Sequence, residues 1–144
     1  MLILLIHYVA TLIMTGAIWL AQLSQYPLLA YVGRRNFIRY EHEHIRRISD
    51  IAWFVIYVEL LTGFILLFPI VPGVEFSTRV VGFALIVIIW LATWFVQYPI
   101  HNKLAREGFN ARLHKKLVQT NWIRTVAWTL RAILWTSVIR ALLS

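Results

Sequence analysis

Apolar positions run in four long blocks, roughly Leu2 to Leu23, Ile51 to Ile70, Val80 to Val96 and Trp122 to Leu143, separated by polar stretches. A helix of about 20 apolar residues crosses the hydrocarbon core of a bilayer, so each block reads as a transmembrane span. The polar stretches before the second and fourth blocks keep a helical rhythm. Phe37, Glu41, Ile45 and Ile48 recur at helical spacing and lead into Ala52, Val55 and Glu59; Phe109, Leu113, Leu117 and Thr120 lead into Arg124 and Arg131. That pattern predicts amphipathic extensions, giving even-numbered helices of about 35 residues and about 50 Å at 1.5 Å per residue. Pro69, Pro72 and Gly73 mark a short connection between the second and third spans, and Gly33 and Gly108 sit in turns. Pro27 and Pro99 lack the N–H that a helix ladder needs, which predicts a kink or an end to the odd-numbered spans. Tyr26, Tyr98 and Trp94 suit the headgroup depth expected there.

The pattern is also written twice. Gln25-Tyr26-Pro27 returns as Gln97-Tyr98-Pro99, a shift of 72 in a chain of 144 residues. The same shift carries Phe37 onto Phe109, His42 onto His114 and Glu59 onto Arg131, while Trp19 and Trp90 recur one residue out of step. Self-similarity at a fixed period predicts repeated structural units. The expected fold is a single all-α domain, an integral membrane four-helix bundle of two tandem two-helix repeats, about 1–72 and 73–144.

Composition supports the spans: hydrophobic residues are 60% of the chain and charged residues 14%, too few to clothe four apolar helices in polar surface. The first block lacks a basic start and a clear small-residue cleavage site, so it reads as a retained span and not a signal peptide. Cysteine is absent, which excludes disulfides and thiolate ligands.

The net charge of +8 is unevenly placed. Arg34, Arg35, Arg39, Arg46 and Arg47 lie between spans one and two. Lys103, Arg106, Arg112, Lys115 and Lys116 lie between spans three and four, whereas the middle connection has Arg79 alone. The positive-inside rule then places both basic segments in the cytoplasm and both termini outside, in a bacterial inner membrane. The expected partners are the bilayer and anionic lipid headgroups, not nucleic acid.

Glu59 is the one charge in its span, and a lone charge at that depth costs several kcal/mol, so it needs a partner facing the bundle interior. Arg131, at the equivalent position, predicts an ion pair, with Arg124 nearby on the cytoplasmic side. The pair is either a structural bridge that sets helix register or the polar floor of a cavity; a protonated, neutral Glu59 is the remaining option. His42 and His114, expected at matching heights, would suit haem iron or another transition metal, with Glu41, Glu43 and His44 adding groups on one side only. Headgroup hydrogen bonding is the plainer reading of that stretch, and acid–base chemistry a further one. His7 stands alone in span one, and its counterpart is Arg79, which would place both in an outer vestibule. Of seven Trp, six Tyr and eight Phe, Trp19, Trp53, Trp90, Trp128 and Trp135 fall inside spans. Lipid-facing packing explains such rings, and so does an aromatic-walled pocket for a flat or quinone-like molecule. Phosphate-binding glycine loops, a nucleophile elbow and paired zinc motifs are absent.

Tyr98-Pro99-Ile100-His101-Asn102-Lys103-Leu104, followed by Asn121-Trp122-Ile123-Arg124-Thr125, resembles the anthrone oxygenase-like family of small four-span membrane proteins. The resemblance puts the family's motif roles on Pro99, Asn102 and Leu104, then on Asn121, Arg124 and Thr125. It implies oxidation of a hydrophobic aromatic substrate without metal or flavin. On that reading Glu59 or His42 handles protons, and Arg124 and Arg131 stabilise a phenolate or enolate. The alternatives are a non-catalytic accessory subunit of a larger respiratory or photosynthetic membrane complex, or a haem or metal carrier using His42 and His114.

Overall fold

The computed structural model describes all of residues 1–144 and contains helices without strands. Four helices, α1 (Leu2–Tyr31), α2 (Phe37–Ile65), α3 (Phe76–Glu107) and α4 (Ala111–Leu143), are each long and apolar enough to cross a bilayer. Helix α1 packs on α2 and α4, and α3 packs on the same two, so chain order is also the order around an up-and-down bundle. Helices α1 and α3 therefore face each other diagonally, as do α2 and α4.

The amphipathic extensions form as the spacing predicts: α2 runs 29 residues from Phe37 and α4 runs 33 from Ala111. The Asn110 side chain caps α4 by accepting from the Leu113 N–H at 3.1 Å, supplying one of the partners that a helix start lacks. Helix α2 stops at Ile65, short of the expected Ile70, and Pro69, Pro72 and Gly73 fall in the connection. Gly73 adopts φ 83°, a left-handed conformation that glycine takes without steric cost.

The two prolines do not end their spans. Both odd-numbered helices continue through them, because the residues before each proline form a wider π-turn, Ala21–Gln25 in α1 and Thr93–Gln97 in α3. In α-geometry a proline has no N–H to give and its ring strikes the carbonyl four residues back. The extra residue of a π-turn relieves this: Tyr26 N–H bonds Ala21 O and Tyr98 N–H bonds Thr93 O, and α-helix resumes with the proline in its first turn.

The main core gathers Met14, Ile18, Phe37, Leu104, Leu117 and Trp128, and a smaller cluster around Leu4, Leu66 and Trp135 closes the end that carries the termini. Phe37 and Phe109 meet edge to face at 5.3 Å between α2 and the start of α4. Outward faces keep large apolar side chains exposed, among them Ile51, Phe54, Leu61, Phe95 and Ile133, as a lipid-facing surface requires.

Candidate functional site

Two buried polar networks occupy the bundle at different depths. The first surrounds Glu59. Arg131 Nη2 lies 2.8 Å from Glu59 Oε1, the partner that the shift of 72 predicts, and both side chains are buried. The same oxygen accepts from the Thr11 hydroxyl at 2.7 Å, and Oε2 accepts from Trp128 Nε1 at 3.0 Å. Arg131 Nη1 donates to the Gly82 carbonyl at 2.9 Å. A Cβ at Gly82 would stand 2.9 Å from the Trp135 ring, so glycine lets α3 and α4 approach closely here. Arg131 Nη2 also faces His7 Nε2 at 3.1 Å. An arginine only donates, so His7 Nε2 carries no hydrogen. Its Nδ1–H then donates to Thr62 Oγ1 at 2.7 Å, and that hydroxyl donates to the Val58 carbonyl at 2.6 Å. Almost every valence here is engaged, as a buried charge requires; Arg131 Nε alone lacks a partner.

The second network lies toward the basic segments and borders a cavity of about 140 Å³. Arg124 Nη2 donates to the Tyr26 hydroxyl at 2.9 Å, and His101 Nε2 lies 3.2 Å from the same oxygen. Since Arg124 uses that oxygen as an acceptor, the phenolic hydrogen is left for His101 Nε2. His101 Nδ1–H is thereby directed at Glu41 Oε1, 2.5 Å away, and Glu41 is fully buried. Carboxylate, imidazole, phenol and guanidinium thus form one chain: Glu41, His101, Tyr26, Arg124. Arg124 is held in turn by Asn121 Oδ1, at 2.9 Å from Nε and 2.6 Å from Nη2. Asn121 donates to Gln22 Oε1 at 2.9 Å, and Thr125 donates to the same oxygen at 3.3 Å.

Tyr26, His101 and Arg124 line the cavity with His44, Trp53 and Trp128, and Gln25 and Gln97, the last residue of each π-turn, reach it. Gln97 Nε2 donates to Thr120 Oγ1 at 2.9 Å, and that hydroxyl spends its own hydrogen on the Lys116 carbonyl, which fixes the amide's orientation. Gln97 Oε1 and Gln25 Oε1 are both buried without a donor. The π-turns put these residues in place, because the added residue in each turn rotates the succeeding stretch of helix relative to the preceding one.

Of the residues singled out from sequence, Arg124 lines the cavity, whereas Glu59, Arg131 and His42 do not. Trp128 joins the two regions, lining the cavity while donating to Glu59. His42 and His114 have different surroundings: His42 is exposed, and His114 Nε2 lies 2.7 Å from the Tyr26 carbonyl oxygen. No group of three or more His, Cys, Asp or Glu side chains converges closely enough to hold a metal ion. His7 and Arg79 share no vestibule, since His7 is fully buried and Arg79 donates to the Val74 carbonyl. Tyr26, expected at headgroup depth, is a core residue, and the Glu-His-Glu-His stretch divides: Glu41 turns inward while Glu43 pairs outside with Arg46 at 2.8 Å and Arg47 at 3.3 Å.

The contributions of Glu41, Tyr26 and His101 were missed from sequence. Glu41 carried a usable signal, being in phase with Phe37, Ile45 and Ile48 on the apolar face. No protein-family model, curated protein or solved structure matches the chain.

Proposed function

We propose that this protein is a membrane-embedded enzyme that binds a small phenolic or quinol ring in the cavity and deprotonates it for oxidation by dioxygen. The observation that carries this reading is the chain Glu41–His101–Tyr26–Arg124 ending on an aromatic-walled cavity. Tyr26 passes its proton to His101, whose other nitrogen is backed by Glu41, and Arg124 stabilises the tyrosinate that remains. The tyrosinate then takes a ring hydroxyl proton from the substrate. The resulting anion is electron-rich and gives two electrons to dioxygen, so that quinol and O2 become quinone and hydrogen peroxide.

Size and polarity narrow the ligand. A cavity of about 140 Å³ is near the engineered cavity of about 150 Å³ that accepts benzene, so it suits one ring better than three. The polar side chains among the lining, with Tyr26, His101 and Arg124 beside Trp53 and Trp128, suit a ring that carries hydroxyl groups. The resemblance of the Tyr98-to-Leu104 and Asn121-to-Thr125 stretches to the anthrone oxygenase-like family supports oxidation of an aromatic substrate.

The chain is further read as a tandem duplication about a pseudo-twofold axis along the bundle. Phe37 with Phe109, and Glu59 with Arg131, are pairs separated by 72 residues that meet between α2 and α4. The π-turns are separated by the same shift.

The test is titration of the purified protein in nanodiscs with a simple hydroquinone, following Trp fluorescence and oxygen uptake. Saturable quenching from Trp53 and Trp128 is expected, with peroxide formed one-to-one with oxygen consumed. Arg124→Leu should weaken binding at least tenfold, and Tyr26→Phe should stop oxygen uptake while retaining quenching. Quenching without uptake would reduce the protein to a ligand-binding role. No saturable quenching would sink the cavity reading and leave the accessory-subunit alternative.

A further inference from the structure

The cavity is not closed on all sides. Along the seam between α1 and α2 it adjoins a cleft of about 440 Å³, and the two share Met14, Ala17, Gln25, His44, Ile48 and Ala52. The cleft in turn shares Ile13 and Val55 with a groove of about 320 Å³ that is lined only by apolar side chains and extends to Leu5 and Val58. A path therefore leads from the Tyr26 hydroxyl, past two alanines, onto the outer face of the bundle. From Ala17 to Leu5 it covers about 18 Å of helix at 1.5 Å per residue.

The opposite seam differs at the throat. Seventy-two residues beyond Ala17 and Ala52 stand Ile89 and Arg124, both buried. Where one half of the chain has two methyl groups, the other has a branched side chain and an arginine, both bulkier than alanine. Polar side chains of the cleft (Tyr40, Glu43 and Arg47) sit at its end near the basic segments, and the apolar groove runs away from them. This gradient matches an amphipathic lipid lying along a helix seam with its polar end at headgroup depth.

We propose that the cavity's ligand is a ring that carries a hydrocarbon tail, that the tail lies in the groove between α1 and α2, and that the molecule enters sideways from the bilayer. This rests on the ring-binding reading above and adds the substrate class and its route: a membrane-resident quinol or phenolic lipid, not a water-borne aromatic. Lipid chains are as apolar as the groove, so the tail contributes location more than affinity. The alanine throat admits the ring because a larger side chain there would close the seam.

The experiment uses wild-type protein in nanodiscs and a hydroquinone with a decyl tail ending in a diazirine. After irradiation, peptide mapping by mass spectrometry should find the label within Leu5–Ile13 and Phe54–Val58. An excess of tail-less hydroquinone should reduce it at least fivefold by taking the ring site. Label on the α2/α3 face at Leu60, Val87 or Leu91, or label on α1 and α2 that the tail-less compound leaves unchanged, would overturn the proposal. If the tail-less hydroquinone fails to quench Trp fluorescence in the same preparation, the ring site itself is refuted and this proposal falls with it. In Ala17→Ile, which installs the residue found 72 positions further on, labelling should drop at least tenfold; undiminished labelling would refute the throat.

Discussion

At the scale of single residues, the most constrained group is Glu59. Its carboxylate accepts from Arg131, Thr11 and Trp128, and Arg131 is anchored further by Gly82 and His7. Removing one partner of such a pair leaves a charge buried without compensation, a loss of about 3–5 kcal/mol. Glu59→Gln and Arg131→Leu should each destabilise the protein by an amount of that order, and the double variant should regain part of the loss. Thermal unfolding in detergent measures this cycle, and additive effects would mean that the two side chains are not coupled. This pair was legible in the sequence because one acid in an otherwise apolar span has to find a partner, and the shift of 72 names it. The Tyr26 hydroxyl was not legible. A tyrosine beside a proline at a span end looks the same whether its ring meets headgroups or an interior arginine.

At the scale of elements, the π-turns decide what the polar side chains do. Each lets its helix pass a proline without breaking, and each brings a glutamine to the cavity. Deleting Phe95, an exposed residue within the second π-turn, should return α3 to α-geometry while leaving the flanking faces in phase. Pro99 would then sit in a true α-helix, at a cost of about 3 kcal/mol. Adding Pro99→Ala should restore the unfolding temperature but not hydroquinone quenching, because Gln97 no longer stands where the wide turn puts it. Full quenching in the stable double variant would show that the π-turn has no part in binding. A proline inside an apolar run announces trouble for the ladder. Kinking, stopping and widening all answer that trouble, and the choice depends on whether the next turn has something to pack against. Here Ile100 and Leu104 are buried in the main core, and the helix continues.

At the scale of the whole molecule, the two networks divide the bundle between them. The Glu59 network lies toward the chain termini and holds all four helices through Thr11, Glu59, Gly82 and Arg131. The cavity lies toward the basic segments, for which the positive-inside rule predicts the cytoplasmic side. Single cysteines placed at 33–36 or 106–108, in a chain that has none of its own, should react with a membrane-impermeant maleimide only when the cytoplasmic face is exposed. Labelling from the opposite face in intact cells would reverse the proposed orientation, and with it the leaflet from which a lipid reaches the cavity.

The four spans, the amphipathic lead-ins of α2 and α4, and the partner of Glu59 can all be read along the chain. Each arises from a local or periodic cost: apolar length against bilayer thickness, helical spacing against the core, and one charge against hydrocarbon. Packing alone sets that the inward-facing Glu41 meets His101, that Tyr26 joins His101 to Arg124, and that α1 and α2 leave a gap at Ala17 and Ala52. Those outcomes depend on which faces of diagonal helices meet and at what height. Hydrogen-bond partners 60, 75 and 98 residues apart are brought within reach by packing, and no pattern along the chain records that geometry.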